Sequence, residues 1–197
     1  GDVGSHILDI AEYLNGEILR VSGRVRARTS HDRNVGWLSE EERLAQDVVE
    51  ASGFWLAEFE NGSIGTFSVS VLSSGRKNQI RFEIDGTGGA LAFDWNDREK
   101  LHISFADDPE HLSGFRTVLS SKAHEDVWYG VAGLGLGYPD DTAIQLRHFI
   151  QAITENKLSH PNFGEGAHVQ QVVEAIYRSA VSGQWEDVPR RKENSID

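Results

Sequence analysis

With 197 residues, 39% of them hydrophobic and five of them tryptophan, the chain can bury a sizeable core and does not read as a disordered polymer. Its net charge of −12 disfavours a general nucleic-acid binder, whose affinity comes mainly from Lys and Arg on phosphate. No run of about 18 apolar residues offers a membrane span, no signal-peptide pattern is present, and the absence of cysteine removes disulfides and thiolate chemistry and fits a reducing, cytoplasmic setting.

The elements follow in chain order. "GDVGSHILDIAEYLNGE" predicts a helix ended by Asn15-Gly16. On a wheel, Val3, Ile7, Ile10 and Leu14 form an apolar stripe, and Asp2, His6, Asp9 and Tyr13 a polar stripe beside it. This places the polar stripe along the edge of the helix's packing contact. "EILRVSGRVRART" alternates as a half-buried strand, with Leu19, Val21, Val25 and Ala27 on one face and Arg20, Arg24, Arg26 and Arg28 on the other. Residues 30–46 read as a loop with a helical turn. "GFWLAEFENGSIGTFSVSVL" reads as a hairpin around Asn61-Gly62, a pair that suits a type I′ turn. "NQIRFEIDGTGGALAFDW" reads as a second hairpin turning at Gly86 to Gly89, and "KLHISFA" as a further strand. Residues 107–139 are the least regular. Two helices follow, Asp141 to Asn156 with Ile144, Phe149, Ile150 and Ile153 inward, and Glu165 to Ser182 with Val169, Val172, Val173, Ile176 and Ala180 inward. Strands grouped by hairpins between helices predict an α+β fold. Its sheet is large, open and mainly antiparallel, with helices on one face. No linker interrupts the chain, so residues 1–188 read as one domain and 189–197 as a flexible tail. The chain lacks methionine, its initiator included, and reads as processed or cut from something longer.

The sharpest constellation is Asp2-x3-His6-x2-Asp9, whose spacings put all three on one helical face. Carboxylates beside an imidazole raise its basicity and fix its tautomer, which suits proton transfer near neutral pH. The same spacing also fits a plain polar helix face with Asp2 as N-cap, or a zinc or iron site. "DGTGGAL" is Gly-rich but lacks GxGxxG and a following helix, so it reads as a turn rather than a phosphate cradle. The arginine stripe fits either an anionic substrate or a partner-facing sheet surface. Trp128 and Tyr129, in the irregular stretch, are candidates for stacking on a sugar. The remaining histidines show no metal-ligand spacing.

Several segments in order resemble the glucose–fructose oxidoreductase/inositol dehydrogenase family. "GDVGSHILDIAEYLNGE" is similar to its G-D-x-G-S-H-x-x-D segment. "FENGSIGTFSVS", "FEIDGTGGALAFDW" and "FGEGAHVQQVVEAIYRSAVSGQWEDV" are similar to two of its hairpins and its closing helix, over roughly residues 1–188. The resemblance covers the family's C-terminal α+β domain only, the type shared with dihydrodipicolinate reductase-like and glyceraldehyde-3-phosphate dehydrogenase-like oxidoreductases. Neither the N-terminal Rossmann domain that binds NAD or NADP nor the Glu-Lys-Pro segment with the family's catalytic Lys is in this sequence. What the resemblance implies is an oxidoreductase acting on a sugar, cyclitol or related polyol. By the resemblance His6 and Asp2 are its catalytic pair and Asp9 lies toward substrate, with no metal; Trp128 and Tyr129 join as substrate-binding candidates from their place in the irregular stretch alone. A homo-oligomer through the open sheet face is implied, and turnover is not expected of this chain alone. The competing readings are a non-catalytic assembly module of the same fold and a metal-dependent hydrolase or isomerase using Asp2, His6 and Asp9.

Overall fold

Two twelve-residue strands, paired along their whole length, form the platform on which the first part of the chain is built. The computed structural model describes residues 2–29, 34–44, 48–124, 131–135 and 137–191. They form two compact units, residues 1–75 with 161–197, and residues 76–160.

In the first unit the order is α1 (Asp2–Asn15), β1 (Ile18–Thr29), β2 (Gly36–Trp37), α2 (Glu40–Leu44), β3 (Val48–Phe59) and β4 (Ile64–Ser70). In the second it is β5 (Arg81–Gly86), β6 (Gly89–Asp94), β7 (Lys100–Phe105), β8 (Arg116–Leu119) and α3 (Tyr138–Glu155). The chain then returns to the first unit with α4 (Phe163–Ser182) and β9 (Glu186–Asp187). Strand pairing is antiparallel throughout and divides over two sheets, β2-β1-β3-β4 with β9 beside β1, and β5-β6-β7-β8. The expected hairpin order and α+β class are thus observed, and "FRTVLSS" contains the strand β8.

The core of the first unit lies between β1-β3 and the helices α1 and α4. Val21, Val25 and Ala27 of β1 and Trp55, Ala57 and Phe59 of β3 meet Leu8 of α1 and Val169, Val172, Val173, Ile176 and Ala180 of α4. The inward set expected for α4 is therefore the observed one. A bulge shifts the register between Ile18 and Arg20, so Ile18, not Leu19, enters the core. Fully buried Ser179 fills a gap in the ladder. It lies where β1 has no neighbour between β9 and β2, accepts from the Gly23 amide at 3.0 Å and donates to the Gln184 carbonyl at 2.6 Å.

Three expectations are corrected. Val3 and Leu14 of the predicted α1 stripe are exposed, and the helix buries Leu8 and Glu12 instead. The rotation follows from Glu12, whose polar partners inside the core are described below. The hairpin turn at Asn61-Gly62 is not type I′: only Gly62 has positive φ (+84°), and its amide donates to the Phe59 carbonyl. Asn61 keeps ordinary φ because its side chain is used elsewhere. It donates to the Asn15 carbonyl at 2.9 Å and accepts from the Ser63 amide at 2.9 Å, tying the turn to the end of α1. Finally, α3 starts at Tyr138, with Pro139 in its first turn and the Asp140 carboxylate accepting from the Gly137 amide at 2.7 Å. None of its side chains is buried, and Phe149, Ile150 and Ile153 are exposed. An amphipathic stripe shows that a face suits a partner, not that its own unit supplies one.

A Cβ added at Gly23 would sit 2.7 Å from Cβ of Trp55 and 2.9 Å from the Phe54 carbonyl oxygen. Gly23→Ala is therefore expected to destabilise the chain by about 1–3 kcal/mol through overpacking, read as a lower urea midpoint. An unchanged midpoint contradicts this packing.

Candidate active site

Helix α1 places Asp2, His6 and Asp9 on one exposed face. This face adjoins the buried side of the helix, which is centred on Leu8 and Glu12: Asp2 borders the cavity described below and Asp9 is partly desolvated, while His6 is exposed. Neither the Asp2 carboxylate nor the His6 imidazole has a hydrogen-bond or ion-pair partner among the described residues. Both are available to something outside the chain. Asp9 is different. Partial burial, then Glu165 and Glu12, raise its pKa, while Arg191 and His6 pull it down. Asp9 thus stands between the free pair and a buried charge network.

That network begins with Glu12, whose side chain is 2% exposed. Its Oε1 accepts from Nε2 of the equally buried His168 on α4 at 2.9 Å and from the Ile18 amide at 3.0 Å. Its Oε2 meets the Arg191 guanidinium at 3.3 Å. Arg191 also faces Glu165 at 3.5 Å, and Arg190 pairs with Glu17 and Glu60. Glu165 closes a capping box with Asn162 at the start of α4, accepting from the Asn162 amide at 2.7 Å. The first two residues of "RRKENSID" are therefore held by ion pairs, and residues 192–197 lie outside the described part. In the sequence His168 is one of the histidines without metal-ligand spacing, and Glu12 carries no motif. The available signal was a Glu next to an apolar stripe, which needs a partner if the helix packs on that side.

The first turn of α1 also borders a cavity of about 160 Å³. Asp2, Val3 and Gly4 lie on one side, Val69 and Val71 on another, and Trp55 beneath. A second bulge, between Arg26 and Ala27, skips Ala51 in the pairing and puts Glu50 opposite inward-facing Ala27. Glu50 therefore faces α4 and accepts a short hydrogen bond from the Tyr177 hydroxyl. Burial first, and the Glu50 carboxylate second, raise the Tyr177 pKa strongly, so its hydroxyl stays a donor.

The arginine stripe is engaged within the chain. Arg20 lies over Trp185 and faces Glu58, Arg24 donates to the Ala180 carbonyl, and Arg26 donates to the Val35 carbonyl and lies over Trp37. Trp128 and Tyr129 lie outside the described residues. Among the described residues, no group of three or more His, Cys, Asp or Glu is arranged to hold a metal ion.

The description "Oxidoreductase family, C-terminal alpha/beta domain" matches residues 1–188. The chain belongs to the glucose–fructose oxidoreductase/inositol dehydrogenase family. It is 32% identical over 201 residues to levoglucosan dehydrogenase of Pseudarthrobacter phenanthrenivorans, covering 96% of this chain and 51% of that protein. Among solved family structures, levoglucosan dehydrogenase in complex with NADH and levoglucosan is 31% identical, with a TM-score of 0.84 over 96% of this chain and 50% of that one. An oxidoreductase domain protein from Kribbella flavida is 34% identical, with a TM-score of 0.80 over the same shares. The chain thus spans about half the length of the relatives it matches.

The buried pair has a pH signature. The hydrogen bond to Glu12 raises the His168 pKa above its ordinary 6.5, against its burial and Arg191. The stabilisation is fully present below that ordinary value and is lost as pH rises through the higher folded one. Urea midpoints are expected to fall as pH is raised from about 6, and His168→Gln to flatten that fall. A wild-type slope retained in the variant contradicts the assignment.

Proposed function

We propose that this chain is the substrate-binding and assembly domain of an NAD(P)-dependent dehydrogenase that oxidises or reduces one hydroxyl-bearing carbon of a sugar, cyclitol or related polyol. The observation that carries the reading is the Asp2–His6 pair, exposed and unengaged on α1, in a family member whose helix is otherwise pinned to its core. The relatives' bound NADH and levoglucosan support the same reading.

The chain's Gly86–Gly89 turn does not suit a dinucleotide. The turn at Gly86–Gly89 joins two antiparallel strands, and a phosphate-binding turn must open a helix. NAD or NADP is therefore assigned to an N-terminal nucleotide-binding domain, and this chain alone is expected to be inactive. The nicotinamide supplies the hydride donor or acceptor, since no side chain carries a hydride. His6 takes or returns the proton of the substrate hydroxyl. Asp2, one turn earlier on the same face, orients the imidazole or the hydroxyl. Asp9, one turn later, supports His6, and its raised pKa follows from the acidic residues behind it.

The outer face of the first sheet is assigned to self-association. Phe54 and Leu56 of β3 and Ile64 of β4 point the same way and are exposed. Phe67 and Val69 turn to the core side. Exposed apolar side chains grouped on one sheet face favour a two-fold contact.

In the protein joined to its nucleotide-binding domain, His6→Ala is expected to lower kcat at least about 100-fold, with cofactor affinity unchanged. A loss below about tenfold contradicts the role of His6 as proton carrier. In sedimentation velocity, the wild type is expected to run as a dimer or larger and the double variant Leu56→Glu, Ile64→Glu as a monomer. A wild-type monomer overturns the assembly role.

A further inference from the structure

The second unit holds a polar cavity that the proposed dehydrogenase reading does not use. Its volume is about 450 Å³, within the range of small-molecule sites. It lies between the segment leading into β5 (Lys77, Asn78), the 3₁₀ turn Trp95–Asp97 after β6, Glu99, Gly135 and Tyr138 at the start of α3.

Three observations make it more than a surface hollow. The Oε2 atom of Glu99 is buried and has no hydrogen-bond partner among the described residues, and such an acceptor costs stability unless something donates to it. Gly135 has φ +79°, and a Cβ there would stand 3.4 Å from that same oxygen. The backbone therefore comes to the carboxylate without a side chain to fill the space. Asn78 is held at φ 46°, a conformation uncommon for residues other than glycine.

The charges restrict the ligand. Arg98 pairs with Asp141 at 2.5 Å and lies over the Trp95 ring at 3.9 Å, and Lys100 pairs with Asp97 at 3.0 Å. The charges thus largely cancel, which leaves Glu99 as an acceptor and the Lys77 ammonium, the Asn78 and Asn96 amides and the Tyr138 hydroxyl as donors. A small anion would meet Glu99 and Asp97, and an apolar ligand would strand every one of these groups. A neutral ring bearing several hydroxyls satisfies both donors and acceptors.

We infer that this cavity is a binding site for one ring of a neutral sugar or polyol, independent of the Asp2–His6 pair. The test is a ¹H–¹⁵N spectrum of the 197-residue chain titrated with methyl β-D-glucopyranoside and, separately, with inorganic phosphate. Saturable shifts are expected with the glucoside at residues 77–78, 95–99, 135 and 138. Glu99→Gln is expected to weaken binding about tenfold, the loss of one charge-assisted hydrogen bond, and the exposed-site variant Asn96→Ala to weaken it less. Asp2→Asn with His6→Ala is expected to leave these shifts unchanged, which separates failure here from failure of the dehydrogenase reading. No saturable shift, a response to phosphate instead, or shifts confined to residues 2–9 would overturn the inference.

Discussion

A glutamate inside a core must find donors, and the position of α1 depends on how Glu12 finds them. Its two carboxylate oxygens take a histidine from α4, the first amide of β1 and an arginine from the chain's closing segment. These partners come from three directions, and only one rotation of the helix satisfies all three. Removing Glu12 would leave the buried His168 without its carboxylate, a loss that costs roughly 3–5 kcal/mol for a buried pair, while Arg191 would keep Glu165 and Glu17. The pin is thus a geometric constraint on the adjoining side of the same helix. With Glu12 and Leu8 inward, Asp2, His6 and Asp9 turn outward as a set.

This division of labour suits chemistry shared between domains. A proton carrier that must meet a substrate and a nicotinamide from elsewhere should be free within its own domain yet fixed in direction. His6 has no hydrogen-bond or ion-pair partner among the described residues, while the helix that carries it is held at Glu12, six residues further on. Asp9 lies between the two, close enough to the acidic network for its pKa to rise. The first sheet serves the same end. Its inner face anchors both helices, and its outer face exposes Phe54, Leu56 and Ile64.

Much of this architecture was legible in the sequence, because strands and amphipathic helices write their period directly. The inward residues of α4, the alternation along β1 and β3, both hairpins and the ends of α1 and α4 follow from apolar spacing, Gly16, Gly183 and Asn61-Gly62. What was not legible depends on long-range partners. The Leu19 and Ala51 bulges change which residues face inward, but arise only when β1 and β3 pair. Glu12 reads as surface until His168 and Arg191, more than 150 positions away, come to meet it. The apolar residues of α3 read as core, yet its own unit leaves them exposed. For the site, spacing alone gave the co-facial Asp2, His6 and Asp9 and left proton transfer, metal binding and a bland polar face all open. The family resemblance selected among them.

The central claim is that the proton-transfer groups are here and the hydride chemistry is not. Equilibrium titration of the 197-residue chain with NADH, followed by nicotinamide fluorescence, tests it most directly. The account predicts no saturable binding at micromolar cofactor, because the Gly86–Gly89 turn joins two antiparallel strands and the chain matches the family's C-terminal domain alone. Tight, stoichiometric binding of NADH to this chain would contradict it.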